Sequence, residues 1–179
     1  VQALSEVYAA SQARSHAMTA ELRGVLDRLA AAQIPAIPYK GPAFGVQLYG
    51  DVALRTYADL DVLVRECDIA GVNRVMAEAG YRAGLYLSWE VSFERPGGAS
   101  VDLHWSIAEK IHQFPLTADE LWARRSTVNL AGAPVPALGA QDMLLAICFN
   151  GLTEDWQRFD RIADVAELVR GRFAIDWQN

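Results

Sequence analysis

The chain has 179 residues, 52% hydrophobic and 21% charged, a balance that excludes disorder or a collagen-like protein and fits one globular domain or one and a half small ones. Its 16 Lys and Arg against 22 Asp and Glu leave a net charge of −6, which argues against a surface built to wrap a nucleic-acid backbone, so no DNA partner is expected. No apolar run approaches the roughly 20 residues that cross a bilayer, so no membrane partner is expected either. Cys67 and Cys148 form no CxxC pair and read as buried thiols in a reducing cytoplasm.

From Leu4 to Ala32 apolar residues recur at helical spacing, clearest in Leu22, Val25, Leu26 and Leu29, predicting one long helix or two in tandem. Ile34 to Tyr39 carries Pro35 and Pro38 among apolar residues and reads as a short edge strand. Lys40-Gly41-Pro42 opens a helix to about Tyr49, with Pro at its first position, and Gly50-Asp51 breaks it. Leu60 to Val64 is a strand, and Asp68 is placed to cap a helix over Ile69 to Ala79 that ends at Gly80.

Three further strands are expected: Tyr81 to Leu87, Glu90 to Arg95 and Ser100 to Trp105, the last two joined by a Pro96-Gly97-Gly98 turn. Beyond Asp119 come a short helix with Leu121 and Trp122, a proline-containing hairpin or loop around Val128 to Pro136, and helices over Ala140 to Phe149 and about Trp156 to Val169. Phe159, Ile162, Val165, Ala166 and Val169 supply the last helix with a core face. Residues 175–179 read as the opening of a helix that is not completed, as in an excerpt of a longer protein. The fold class is therefore α/β (α+β), a small mixed sheet flanked by helices. Its parts are a helical segment over 1–33, a sheet core over 34–115 and a mainly helical part over 116–179.

Asp59 and Asp61 lie two apart on a strand, so both carboxylates leave the same face, with Cβ atoms about 6 to 7 Å apart. Two like charges held there call for a counter-charge, and Mg²⁺ takes oxygen ligands from one or two carboxylates and completes its shell with water and substrate phosphates. A pair of solvated edge residues is the plainer alternative. Asp102 and His104 alternate with Val101 and Leu103, so Asp102 can complete a carboxylate triad on the face it shares with His104. Lys40-Gly41 stands at a helix opening, where free N–H groups and a lysine charge suit phosphate.

The run Lys40-Gly41-Pro42-Ala43-Phe44, then Leu48-Tyr49-Gly50-Asp51, Arg55, Asp59-Leu60-Asp61-Val62-Leu63-Val64 and Val101-Asp102-Leu103-His104-Trp105 resembles a bacterial nucleotidyltransferase family of the DNA-polymerase-beta-like superfamily. The resemblance implies that Asp59, Asp61 and Asp102 are the catalytic metal ligands for Mg²⁺ or Mn²⁺. It also implies a phosphate cradle at Gly41, and Lys40, Arg55 and His104 complete the nucleotide-binding set. Pro42 departs from the superfamily's Gly-Ser or Gly-Gly loop and offers neither hydroxyl nor N–H.

Other residues have competing readings. Arg55 holds phosphate or pairs with Asp59 or Asp51. His104 touches metal, base or acceptor, or is a structural partner of a carboxylate. Glu90 and Glu94 face solvent, with Glu94 the reserve third carboxylate. Trp156, Arg158, Asp160, Arg161 and Asp164 form a solvated helix face, of which Arg161 and Asp164 turn to the cleft.

The expected activity is transfer of a nucleoside monophosphate from an NTP to a hydroxyl acceptor, whether small molecule, protein or RNA, with release of pyrophosphate. The alternatives are a nucleotide-binding module without turnover, a toxin-like RNA-modifying relative, or a glycosyltransferase whose Asp-x-Asp holds the metal of a sugar nucleotide.

Overall fold

Leu22, Val25, Leu26 and Leu29 line one side of a single uninterrupted helix, α1 (Gln2–Ala31), in a computed structural model that describes residues 2–109, 112 and 116–177. Strand β1 (Ile37–Tyr39) follows, then α2 (Gly41–Phe44), which widens into a π-helical turn over Gly45–Tyr49 and stops at Gly50 in the left-handed conformation. Next come β2 (Asp59–Leu63), α3 (Ile69–Glu78), β3 (Arg82–Tyr86), β4 (Glu90–Glu94) and β5 (Ser100–His104). The C-terminal part holds α4 (Ala118–Ala123), the hairpin β6 (Ser126–Leu130) and β7 (Ala133–Ala137), α5 (Ala140–Thr153), and α6 (Phe159–Glu167) with a π-helical turn over Leu168–Arg172.

The mixed sheet has the order β1-β2-β5-β4-β3. Its central pair, β2 and β5, is parallel and places Asp61 opposite Asp102. Period-two alternation divides the sheet into two faces. Leu60, Val62, Val101, Leu103, Val91 and Phe93 pack under α1 and α3. On the other face Ile37, Tyr39 and Leu63 pack against Phe44, Leu48, Met143 and Ile147. This second cover stops at Leu63, and the remainder of that face carries Asp59, Asp61, Asp102 and His104.

Three expectations need correction. Cys67 is exposed and Cys148 half-buried, because Cys67 falls in the short turn over Glu66–Asp68, which buries no residue. Asp68 stands at the start of α3, but its side chain makes no capping bond. Phe159 is 81% exposed, and Ile162 and Val169 are also exposed, whereas Arg161, Asp164 and Leu168 are buried. Helix α6 thus turns its polar edge inward. The reason is the buried Arg55, which needs a carboxylate, and Asp164 supplies it at 2.9 Å.

Ile175 to Trp177 contain no helix; residues 178 and 179 of the expected helical opening lie outside the described residues. So do residues 113–115, on which the expected boundary between core and helical part falls. No helix among the described residues is long and apolar enough to cross a membrane.

Candidate active site

Strand β2 projects Asp59 and Asp61 from one face, and the parallel register brings Asp102 beside Asp61 on β5. Asp61 is the most enclosed of the three. Its Oδ1 accepts from Lys40 Nζ at 3.0 Å and lies 3.0 Å from His104 Nε2. Burial opposes charge on Asp61, yet the Lys40 ammonium and the His104 hydrogen bond outweigh it and hold the carboxyl well below the usual range. Among the described residues Asp59 and Asp102 have no such hydrogen-bonded side-chain partners. Burial and then the charge of Asp61 raise both, Asp102 to about 6.

His104 is fixed at two points. Its Nε2 meets Asp61, and its Nδ1 stands 3.0 Å from Glu90 Oε2, at ion-pair distance but off the N–H axis, so this nitrogen lacks an aligned hydrogen-bond partner. Burial works against the imidazolium, but the two carboxylates prevail and its pKa is raised. Tyr39 closes the floor, its ring edge-on to His104 at 5.2 Å and under Lys40 Nζ at 5.0 Å. Burial raises the Tyr39 hydroxyl well above its ordinary pKa, and the surrounding carboxylates add to it, so the phenol stays neutral.

Lys40 reaches Asp61 from an unusual backbone position, with φ 56° and ψ −152°, and Gly41 follows at φ 36°. A lysine rarely adopts positive φ, and the local cost is offset by its ion pair. The Lys40 carbonyl accepts from Phe44 N at 2.9 Å and starts α2, so Pro42 fits inside the helix without a missing bond.

Beside Lys40 and the Asp59–Asp61 pair opens a cavity of about 150 Å³ whose other walls include Gly41, Arg55, Glu154, Arg158 and Arg161. Arg161 is braced by Glu154 at 3.0 Å and Arg158 by Asp160 at 2.7 Å. Arg55 lines the cavity, but its ion pair is with Asp164, not with Asp59 or Asp51. Tyr49 donates to the other oxygen of Asp164 at 2.8 Å, and Asp51 instead accepts from Ala53 N. Arg55 therefore ties the loop before β2 to α6.

Of the residues singled out in the sequence, Lys40, Gly41, Arg55, Asp59 and Asp61 share this cavity. Asp102 and His104 lie on the same sheet face but do not line it. Among the described residues no three His, Cys, Asp or Glu side chains already stand as a metal cage, while the charges of Asp59, Asp61 and Asp102 are near enough to act on one another. The donor set still suits a hard divalent cation. It offers oxygen ligands only, and two of its carboxyls are raised by burial and then by the charge of Asp61.

Sequence reasoning missed Glu90 and Arg158. Glu90 faces His104 rather than solvent. The signal was present in the hairpin: Gly97 centres the turn, and counting outward from it pairs Glu90 with His104 and Ser92 with Asp102. Arg158 is on the cavity wall, not only on a solvated face. Arg161 reaches the cleft as expected and lines the cavity, whereas Asp164 is buried against Arg55 and does not line it.

The sequence matches the family described as "Uncharacterised nucleotidyltransferase" over residues 1–179. No curated protein sequence matches it. Similar solved structures include the antibiotic-resistance factor ANT(2'')-Ia, with 16% identity, a TM-score of 0.66, and coverage of 84% of this chain and 81% of that one. The lincosamide antibiotic adenylyltransferase LnuA is 14% identical at a TM-score of 0.59, over 83% of this chain and 94% of that one. A nucleotidyltransferase-like protein from Paracoccidioides brasiliensis is 15% identical at 0.58, over 86% and 75%. At these identities the likeness is one of fold.

Proposed function

The chain belongs to the uncharacterised nucleotidyltransferase family, and from that premise we propose that it transfers a nucleoside monophosphate from an NTP to a hydroxyl of a small-molecule acceptor. The observation that carries this reading is the adjacency of a cationic cavity, walled by Lys40, Arg158 and Arg161, to the carboxylate pair Asp59 and Asp61. A metal triphosphate needs that division of charge, negative ligands for the metal and positive groups for the phosphates. Asp59, Asp61 and Asp102 would hold Mg²⁺ or Mn²⁺, which would supply positive charge to neutralise the phosphates.

This chain's own residues do the rest. Arg158 and Arg161 grip the phosphates, each kept in place by its carboxylate. Lys40 leaves Asp61 for a phosphate oxygen as the nucleotide enters. Glu90 and Asp61 hold His104 from both sides, and His104 fixes the rotamer of Asp61. The acceptor oxygen attacks the α-phosphorus and forms the new P–O bond. The bond to pyrophosphate breaks with its electron pair, and the acceptor proton passes to the Asp102 carboxylate. ANT(2'')-Ia has been solved with adenylyl-2''-tobramycin and LnuA with lincomycin, and these precedents favour a small acceptor over protein or RNA.

The test is incubation of the protein with each α-labelled NTP and Mg²⁺ or Mn²⁺, with pyrophosphate release measured across pooled small-molecule, protein and RNA acceptors. Release that depends on Asp59 and Asp61 supports the reading. Tight NTP binding with no release from any pool would instead establish a binding module, a role in keeping with the occupation of Asp61 by Lys40 and His104.

A further inference from the structure

On the flank of Asp61 away from the arginines lies a second cavity, of about 270 Å³, bounded by Trp89, Glu90, His104, Glu109, Phe149 and Asn150. Lys40 is the residue that lines both cavities, so its side chain, held on Asp61, is the partition between them. We propose that this second cavity is the acceptor site and that it takes an amino sugar or similar amine-bearing polyol. The inference rests on the nucleotidyl-transfer reading and names the substrate class for it.

Direction comes first. An in-line displacement puts the entering oxygen and the leaving pyrophosphate on opposite sides of the phosphorus. With the phosphates held toward Arg158 and Arg161, the entering hydroxyl comes from the His104 and Glu90 side of Asp61, where this cavity opens. Movement of Lys40 off Asp61 then joins the two spaces at the reacting phosphorus.

Lining chemistry selects the class. The Glu109 carboxylate is half-buried and has no hydrogen bond or ion pair among the described residues. A half-buried carboxylate without such a partner gains from a cation, and the Trp89 ring, which lines the same cavity, offers a second favourable surface for an ammonium. His104 Nδ1 is a buried ring nitrogen without an aligned partner, its side chain only 4% exposed, and it can donate to a hydroxyl oxygen of the bound molecule. Asn150 supplies an amide to further hydroxyls. Among the described residues no arginine lines this cavity, whereas Arg55, Arg158 and Arg161 line the other; its cations, Lys40 and His104, are already engaged by Asp61 and Glu90, so a phosphorylated or carboxylate acceptor meets the Glu109 carboxylate. At about 30 Å³ per water the space equals roughly nine waters, which suits a monosaccharide-sized molecule.

The experiment titrates glucosamine, glucose and glucuronate, one ring with three charges, into the full chain with and without Mg²⁺ and a non-hydrolysable NTP, read by saturation-transfer NMR. Glucosamine should bind at least tenfold more tightly than glucose, and glucuronate should give no transfer. Glu109→Gln should cut the glucosamine preference to less than threefold while glucose still binds, which shows that the cavity is intact. The proposal is overturned if glucosamine does not bind, if the three sugars bind alike, or if the preference survives in Glu109→Gln. Failure of the Mg²⁺–NTP complex to bind, with sugar discrimination intact, would instead remove the nucleotidyl-transfer reading and leave an amine-sugar site.

Discussion

Replacing Asp102 with Asn keeps the side chain's shape and removes its ability to ionise, and the effect on stability should depend on pH in a direction set by its neighbours. Burial first and the charge of Asp61 second push the Asp102 carboxyl to about 6, from an ordinary value of 3.8. The folded protein thus binds this proton more tightly than the unfolded chain does. The group's favourable contribution is complete below about 3.8 and is lost as pH rises through about 6. The difference of 6 − 3.8, at 1.36 kcal/mol per pKa unit, gives about 3 kcal/mol. Water reaches the outer part of the carboxylate, and screening brings the expected effect to about half of that.

In EDTA, urea unfolding followed by tryptophan fluorescence should therefore find parent and Asp102→Asn nearly equal near pH 4, with the variant pulling ahead by roughly 1.5 kcal/mol by pH 7. Saturating Mg²⁺–NTP at about 100 times Kd should add about 2.7 kcal/mol to the parent and less to the variant, reversing the order. A difference that stays flat with pH, or a variant less stable than the parent at pH 7 in EDTA, would refute the claim that Asp102 carries uncompensated charge.

Asp61→Asn should abolish pyrophosphate release and, contrary to what simple repulsion between acids would suggest, lower stability by about 3 kcal/mol, because Lys40 and His104 lose the carboxylate that holds them; a melt as high as the parent's would contradict this. Lys40→Met should strengthen binding of Mn²⁺ alone, by removing the cation that occupies Asp61, and weaken nucleotide binding; calorimetry showing both unchanged would mean that Lys40 does not compete for the site. Asp164→Ala strands the fully buried Arg55 and should cost about 3 to 5 kcal/mol in denaturant unfolding. By contrast, Phe159→Ser at an 81% exposed position should change stability by no more than about 0.5 kcal/mol.

Much of the fold was legible because the relevant signals are local. Leu22 to Leu29 repeat at helical spacing, Gly50 and Gly80 mark stops, and Pro96-Gly97-Gly98 marks the hairpin, so most elements from α1 to α5 fall close to where pattern placed them. The pairing of Asp59 with Asp61 is also local, since two residues apart on any strand share a face. Helix α6 misled for a physical reason. Its most apolar stripe, Phe159, Ile162 and Val169, is the one turned to water, because desolvating Arg55 without Asp164 costs more than leaving those side chains exposed.

By itself, then, the sequence determined which residues are carboxylates on one strand face, where the strands and helices fall along the chain, and that a Lys-Gly step precedes a helix. It could not determine who neutralises whom. That Lys40 and His104 converge on Asp61, that Glu90 backs His104, and that Arg55 goes to Asp164 rather than to Asp51 or Asp59 are outcomes of strand register and helix docking. Electrostatic partnership depends on distance in space and on burial, and residues 21, 43 and 109 positions apart in the chain become neighbours at about 3 Å only once β1, β2, β5 and α6 are packed together.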